Sequence, residues 1–252
     1  MDNIRFFDCS ASFGRRKNVH KGSFFSLDEL LQKMAYYRID GAMVYHSMAA
    51  EYEPNEGNQM LLDQIAGIHN LKPVWVVMPH HTGEFPHPLN LRELMKQNNI
   101  RAVRMMPGDS GYSLAGWSCG ALFKMLEGCN VPVMLGVSQI NRNYQILNDV
   151  LAAHPDMKLI LTDIPYHCAR YVYPLLECFP NLYLETIGFK VFGGIEDVCK
   201  KFGAGRLIFG SNAPLYSGGS AIGMIQYAKI SQEEKKAIAC ENLEKLLEGV
   251  SL

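Results

Sequence analysis

Short apolar runs alternate with amphipathic stretches along the whole chain, and this constrains the fold more than any other feature. The apolar runs fall at residues 4–8, 41–46, 73–78, 102–106, 132–135, 159–163, 182–186 and 206–210. Helical periodicity follows each: 26–36, within 57–69, 88–97, 120–127, 144–153, 169–179, 195–201 and 221–229, with a last helix from residue 232. Ser26 with Glu29, and Ser231 with Glu234, have the spacing of capping boxes. Nearly continuous apolar strands are buried on both faces, as parallel strands are. Eight strand–helix units in 252 residues predict a closed (β/α)8 TIM barrel, a single domain over residues 1–252. The rival is an open doubly wound sheet. It calls for a glycine-rich turn after the first strand, where this chain has Asp8, Cys9, Ser10, Ala11 and Ser12.

In such a barrel the chemistry lies where the strands end. Polar residues gather there: Ser10 and Ser12 after the first strand, His46 and Ser47 after the second, and His80, His81 and Glu84 after the third. Arg104 lies on the fourth strand, Asp163 and His167 at the sixth, Glu185 on the seventh, and Ser211 and Asn212 after the eighth. His80 and His81 are adjacent, so on an extended segment only one faces the mouth. Asp163 reads as a pocket carboxylate or as a cap of the next loop. Glu185 shares a face with Tyr183, inside the barrel, where a charge needs a partner. Arg104 is the evident one, or it binds an anion; a salt bridge that merely fills the mouth is the plainer alternative. His20, His69, His87 and His154 read as surface or packing histidines, with His69 late in a helix and His154 just past one.

Four stretches, 158–164, 179–185, 202–214 and 231–243, closely resemble the amidohydrolase-related family of metal-dependent hydrolase and decarboxylase barrels. The segment Phe209-Gly210-Ser211-Asn212-Ala213-Pro214 and the tail Glu241-Asn242-Leu243 carry most of that resemblance. It implies a divalent ion held by a His-x-His pair on the first strand, histidines on the fifth and sixth, and an aspartate after the eighth. Here those positions read Ser10 and Ser12, Gly136 (or Val137 in a shifted register), Asp163 and Asn212. Hydroxyl, glycine and amide are poor zinc ligands, so of the five only Asp163 is a ligand in kind. The resemblance thus implies the fold without the standard metal site, and no cofactor is expected. The alternative is one divalent metal such as zinc at a relocated site built from Asp163, His80 and His167.

The functional expectation is a hydrolase or lyase acting on a small polar, anionic substrate. Asp163, Glu84, His80 or His81 would move protons. Ser10, Ser12, His46, Arg104, His167, Glu185 and Asn212 would line the substrate site. A non-catalytic small-molecule-binding or regulatory protein on the same barrel is the alternative. The net charge of −1 gives no footprint for nucleic acid or an anionic membrane. No apolar run reaches the roughly 20 residues of a membrane span, and the first residues do not read as a signal peptide. Seven cysteines without CxxC spacing read as reduced, mostly buried thiols of a cytoplasmic protein. The loop 107–117, rich in glycine and ending in Trp117, reads as a lid or a contact in a homo-oligomer.

Overall fold

The computed structural model describes residues 4–19 and 21–252; residues 1–3 and His20 lie outside the described part. Strands β1 (Phe7–Phe13), β2 (Gly41–His46) and β3 (Leu71–Pro73) pair in parallel in that order. Strands β4 (Trp75–Val77), β5 (Val103–Met105), β6 (Val133–Gly136), β7 (Leu159–Thr162), β8 (Leu182–Glu185) and β9 (Leu207–Ile208) do likewise. β3 and β4 are two halves of the predicted third strand. The N–H of Val74 between them donates to Val44 O at 2.8 Å and ties the halves to β2. Cys9 N–H to Phe209 O (3.0 Å) and Ser12 N–H to Ala213 O (2.9 Å) join β9 back to β1. The ring is thereby closed, and the open-sheet rival falls.

Helix α1 (Leu27–Tyr37) follows β1; α2 (Ser47–Glu51) and α3 (Pro54–Ile65) follow β2; α4 (Pro88–Gln97) follows β4. Then come α5 (Pro107–Ser110), α6 (Gly116–Gly128), α7 (Tyr144–Ala153), α8 (Ala169–Cys178), α9 (Gly194–Phe202) and α10 (Gly218–Gln226). The tail runs through α11 (Gln232–Lys236), a π turn and α12 (Asn242–Glu248). Both capping boxes form, at Ser26/Glu29 and Ser231/Glu234.

One apolar cluster fills the barrel: Cys9, Met43, Val76, Met134, Ile160 and Ile208 each come from a different strand. Leu243, Leu246 and Leu247 of α12 join it. The Asn242 amide donates to Ala204 O (2.9 Å) and Leu207 O (2.8 Å), which explains the buried asparagine of the tail motif. A second, larger cluster lies between the strands and the helices.

Several local expectations need correction. The first strand is Phe7–Phe13, not 4–8, so Ser10 and Ser12 lie on it rather than after it. Its register shifts between Asp8 and Ala11, a bulge that turns both Cys9 and Ser10 inward. His69 lies in a turn beyond α3, which ends at Ile65. Trp117 opens α6, and the preceding loop is pinned: Tyr112 donates to Val77 O (3.2 Å), and Gln139 Oε1 accepts from Gly108 and Asp109 N–H (3.1 Å each). Six of the seven cysteines are buried, and all are free thiols. Among the described residues, no helix is long and apolar enough to cross a membrane.

Candidate active site at the barrel mouth

The inward positions of the strands carry apolar side chains low in the barrel and polar ones at its C-terminal end. Arg104 lies two residues past Ala102, Thr162 past Ile160, Glu185 past Tyr183, and Gly136 past Met134. Met134 belongs to the interior cluster, so alternation puts Gly136, not Val137, at the mouth.

Asp163 follows β7 with φ 55°, a left-handed conformation that aspartate tolerates better than most residues. Its Oδ1 accepts from Asn212 Nδ2 at 2.7 Å, and Oδ2 accepts from Ser138 Oγ at 3.4 Å. Arg104 Nη2 stands 3.9 Å from the same Oδ2 and donates to Thr162 Oγ1 at 3.2 Å. Asp163 thus caps no helix; its side chain is 28% exposed beside an Arg104 that is only 3% exposed.

Glu185 is fully buried. The expected pairing with Arg104 is not its nearest contact. Ser10 Oγ hydrogen-bonds Glu185 Oε1, Asn212 N–H donates to Ser10 Oγ (3.0 Å), and Asp163 N–H donates to Oε2 (3.4 Å). Burial pushes the Glu185 carboxyl up to about 8; the Asp163 charge adds to that, and Ser10 and Arg104 oppose it. A neutral acid solves the problem of a charge inside the barrel without an ion pair.

Residues that the sequence reading passed over complete the mouth. Arg16, in the loop after β1, donates through Nη2 to Ser12 Oγ (2.5 Å) and to Tyr45 Oη (3.1 Å). Its Nη1 reaches Glu51 at 3.3 Å. Tyr45, on β2, lies near two guanidiniums, Arg104 at 4.8 Å and Arg16 at 5.8 Å from its ring centre. Burial alone would raise the Tyr45 phenol's pKa, but Arg104 and Arg16 outweigh it and leave the pKa below its ordinary value. The inward register of Tyr45 beside Arg104 was available as a signal; the fold-back of Arg16 from a loop was not.

The other candidates stand apart from this network. His80 stacks on His81 (4.4 Å between ring centres) and meets His87 edge-on (4.6 Å). The alternation argument fails there because Gly83 N–H to His80 O closes a turn, so the segment is not extended. Glu84 is exposed and accepts from Thr82 Oγ1. His167 is exposed against Tyr166. His46 caps α2, its Nδ1 accepting from Met48 N–H (3.2 Å), and burial lowers its pKa. His154 pairs with Glu127 at 3.0 Å and His87 caps α4, in keeping with structural roles. Ser211 turns away from the mouth: its N–H and Oγ hydrogen-bond the buried Asp8 carboxyl.

A sequence model of the family described as Amidohydrolase matches residues 37–248. This chain belongs to the amidohydrolase family. No curated protein matches it. Among solved structures it is similar to a TIM-barrel protein from Bordetella bronchiseptica (TM-score 0.78, 15% identity, 98% of this chain and 99% of that one). It is also similar to a dihydroxybenzoic acid decarboxylase from a Polaromonas species, crystallised with manganese and the inhibitor 2-nitroresorcinol (TM-score 0.74, 13% identity, 98% and 97%). A third is a probable 2-pyrone-4,6-dicarboxylic acid hydrolase from Acinetobacter baumannii with bound citric acid (TM-score 0.68, 15% identity, 97% and 100%). At these identities the likeness establishes the fold.

The family implies a divalent ion, and the donor set here does not fit one. Ser10 Oγ is engaged by Glu185 and Asn212 N–H, and Ser12 Oγ by Ala213 O (2.9 Å) and the Arg16 guanidinium. A Cβ on Gly136 would come within 2.7 Å of Asp163 Oδ2, so a histidine there would displace the Asp163 carboxylate. Among the described residues, no group of three or more His, Cys, Asp or Glu side chains converges as a metal would require, so the relocated site of Asp163, His80 and His167 is not assembled. The departures from the family pattern support one another: Gly136 makes room for Asp163, and Asn212 donates where an aspartate would repel.

Proposed function

We propose that this amidohydrolase-family barrel is a hydrolase or lyase for a small carboxylate-bearing molecule, working at the mouth without the family's usual metal site. One observation carries the reading. Arg104 is buried, and its Nε and Nη1 have no partner, directly beside the part-exposed carboxylate of Asp163. Buried N–H groups without acceptors are costly, and a bound anion would satisfy them. In this reading Arg104 holds the anionic group, and Asp163, steadied by Asn212 and Ser138, takes a proton from water or substrate. Glu185, neutral below about pH 8, keeps a second negative charge out of the site. The seven free thiols and the unremarkable charge suit a soluble cytoplasmic setting.

The test is turnover of 2-pyrone-4,6-dicarboxylate and of dihydroxybenzoates by chelator-treated protein, followed by ultraviolet absorbance and by carbon dioxide release. Asp163→Asn should lower the rate by about a hundredfold or more while leaving the folded state intact. Ligand that binds and is recovered unchanged would favour the non-catalytic alternative. Turnover indifferent to Asp163→Asn would remove Asp163 from the mechanism.

A further inference from the structure

The family's ion places positive charge between the ends of its strands. In this chain, a guanidinium contacts the residue at each of two positions that would hold that ion. Ser12 replaces the second histidine of the first-strand pair, and its oxygen receives Arg16 Nη2. Asp163 replaces the sixth-strand histidine, and Arg104 Nη2 faces its carboxylate at 3.9 Å. The buried Tyr45 ring lies near both guanidiniums, its centre 4.8 Å from Arg104 and 5.8 Å from Arg16. Both side chains are at least nine-tenths buried, 10% exposed for Arg16 and 3% for Arg104.

Their hydrogen bonding is incomplete. Arg16 Nε, Arg104 Nε and Arg104 Nη1 are buried without an acceptor. Glu51 takes one nitrogen of Arg16, and Asp163 stands at the edge of ion-pair range from Arg104. Each of these N–H groups is a charge-assisted donor, and carboxylate oxygens are acceptors suited to them.

We infer that Arg16 and Arg104 jointly supply the positive charge that a divalent ion supplies elsewhere in the family, and that together they bind a carboxylate ligand with no metal. The inference rests on the reading that the mouth takes a small anion, and adds Arg16 as the second anion-binding residue. The lowered pKa of Tyr45 agrees with it, since the phenolate is favoured only where the local potential is positive. Asp163, Glu185 and Glu51 are the acidic groups facing this pair, and Glu185 is neutral below about pH 8.

Malonate is the probe, titrated calorimetrically into chelator-treated wild type, Arg16→Gln, Arg16→Lys and Arg104→Gln, with circular dichroism to confirm folding. Wild type should bind one malonate in metal-free buffer after the chelator, itself a polycarboxylate, has been dialysed away. Arg16→Gln should weaken binding about tenfold or more, and Arg16→Lys should fall between, keeping the charge without the planar fork. Manganese, followed by electron paramagnetic resonance, should not bind stoichiometrically to wild type. Malonate binding unchanged in Arg16→Gln but lost in Arg104→Gln would overturn the role of Arg16 and leave the anion site at Arg104 standing. Binding that requires manganese would overturn the metal-free pair. No malonate binding to wild type would overturn both.

Discussion

On one side of the mouth Arg16 and Arg104 flank Tyr45, and three of their nitrogens find no acceptor. On the other, Asp163 and Glu185 are held by Asn212, Ser138, Ser10 and a backbone N–H, so each carboxyl oxygen has a partner. The acidic side is closed on itself and the cationic side is left unfinished. A protein tolerates unpaired buried donors where something else completes them, so in the proposed reading the unfinished side takes the ligand. In that reading the finished side holds the proton acceptor Asp163, with the protonated Glu185 behind it. Breaking each side should therefore have a different signature.

The largest effect is expected at Glu185, and it depends on pH. Its folded-state pKa of about 8 lies above the ordinary 4.5, so between those values the folded protein holds a proton that the unfolded chain has released. Its contribution is therefore fully present below about pH 4.5 and is lost as pH climbs through 8. Glu185→Gln cannot ionise. Urea unfolding at pH 5 and pH 9 should show the variant gaining about 3 kcal/mol on wild type between the two. Parallel curves would mean that Glu185 is charged and paired, and that the acidic side is less closed than its hydrogen bonds indicate.

Asn212→Asp comes next. It exchanges a donor 2.7 Å from Asp163 Oδ1 for an acceptor and restores the aspartate of the family pattern. Two facing carboxylates repel unless they share a proton. The variant should lose about 2 kcal/mol of stability at pH 8 and less at pH 5. If zinc restores that loss with one ion per chain, the acidic side retains a latent metal site, and the contrast between the halves narrows.

The barrel was legible because eight apolar runs at regular spacing have few parallel solutions, and Gly41–His46, Pro88–Gln97 and Tyr144–Ala153 form as read. The first strand was misplaced because its register carries a bulge, which period-two reasoning does not contain. Asp163, Arg104, Glu185, Ser10 and Asn212 were legible as mouth residues from alternation and strand ends. What joins them was not. Ser10 rather than Arg104 meets Glu185, and Arg16 enters from a loop whose path no periodicity records. His80, His81 and Glu84 were attractive as proton carriers by residue type, yet a turn sends the histidines against one another and leaves Glu84 on Thr82.

Gly136 gives the test with the smallest expected effect on stability, and it reads how the two sides are coupled. Its φ of −78° and ψ of 139° suit any residue, so Gly136→Ala adds no backbone strain. The added methyl meets Ser138 Oγ at 3.3 Å and, most closely, the Asp163 carboxylate, with Cβ 2.7 Å from Oδ2. That oxygen is the free end of a side chain and is part-exposed, so it can swing away at a cost of about 1 kcal/mol. Moving it weakens the contact with Arg104 and leaves Asn212 without its acceptor. Thermal unfolding should therefore change little, while turnover falls nearly as far as in Asp163→Asn and malonate affinity changes by less than about threefold, since Arg16 and Arg104 keep their places. Equal losses of turnover and malonate affinity would show that the carboxylate positions the guanidiniums, and the two sides would have to be treated as one unit.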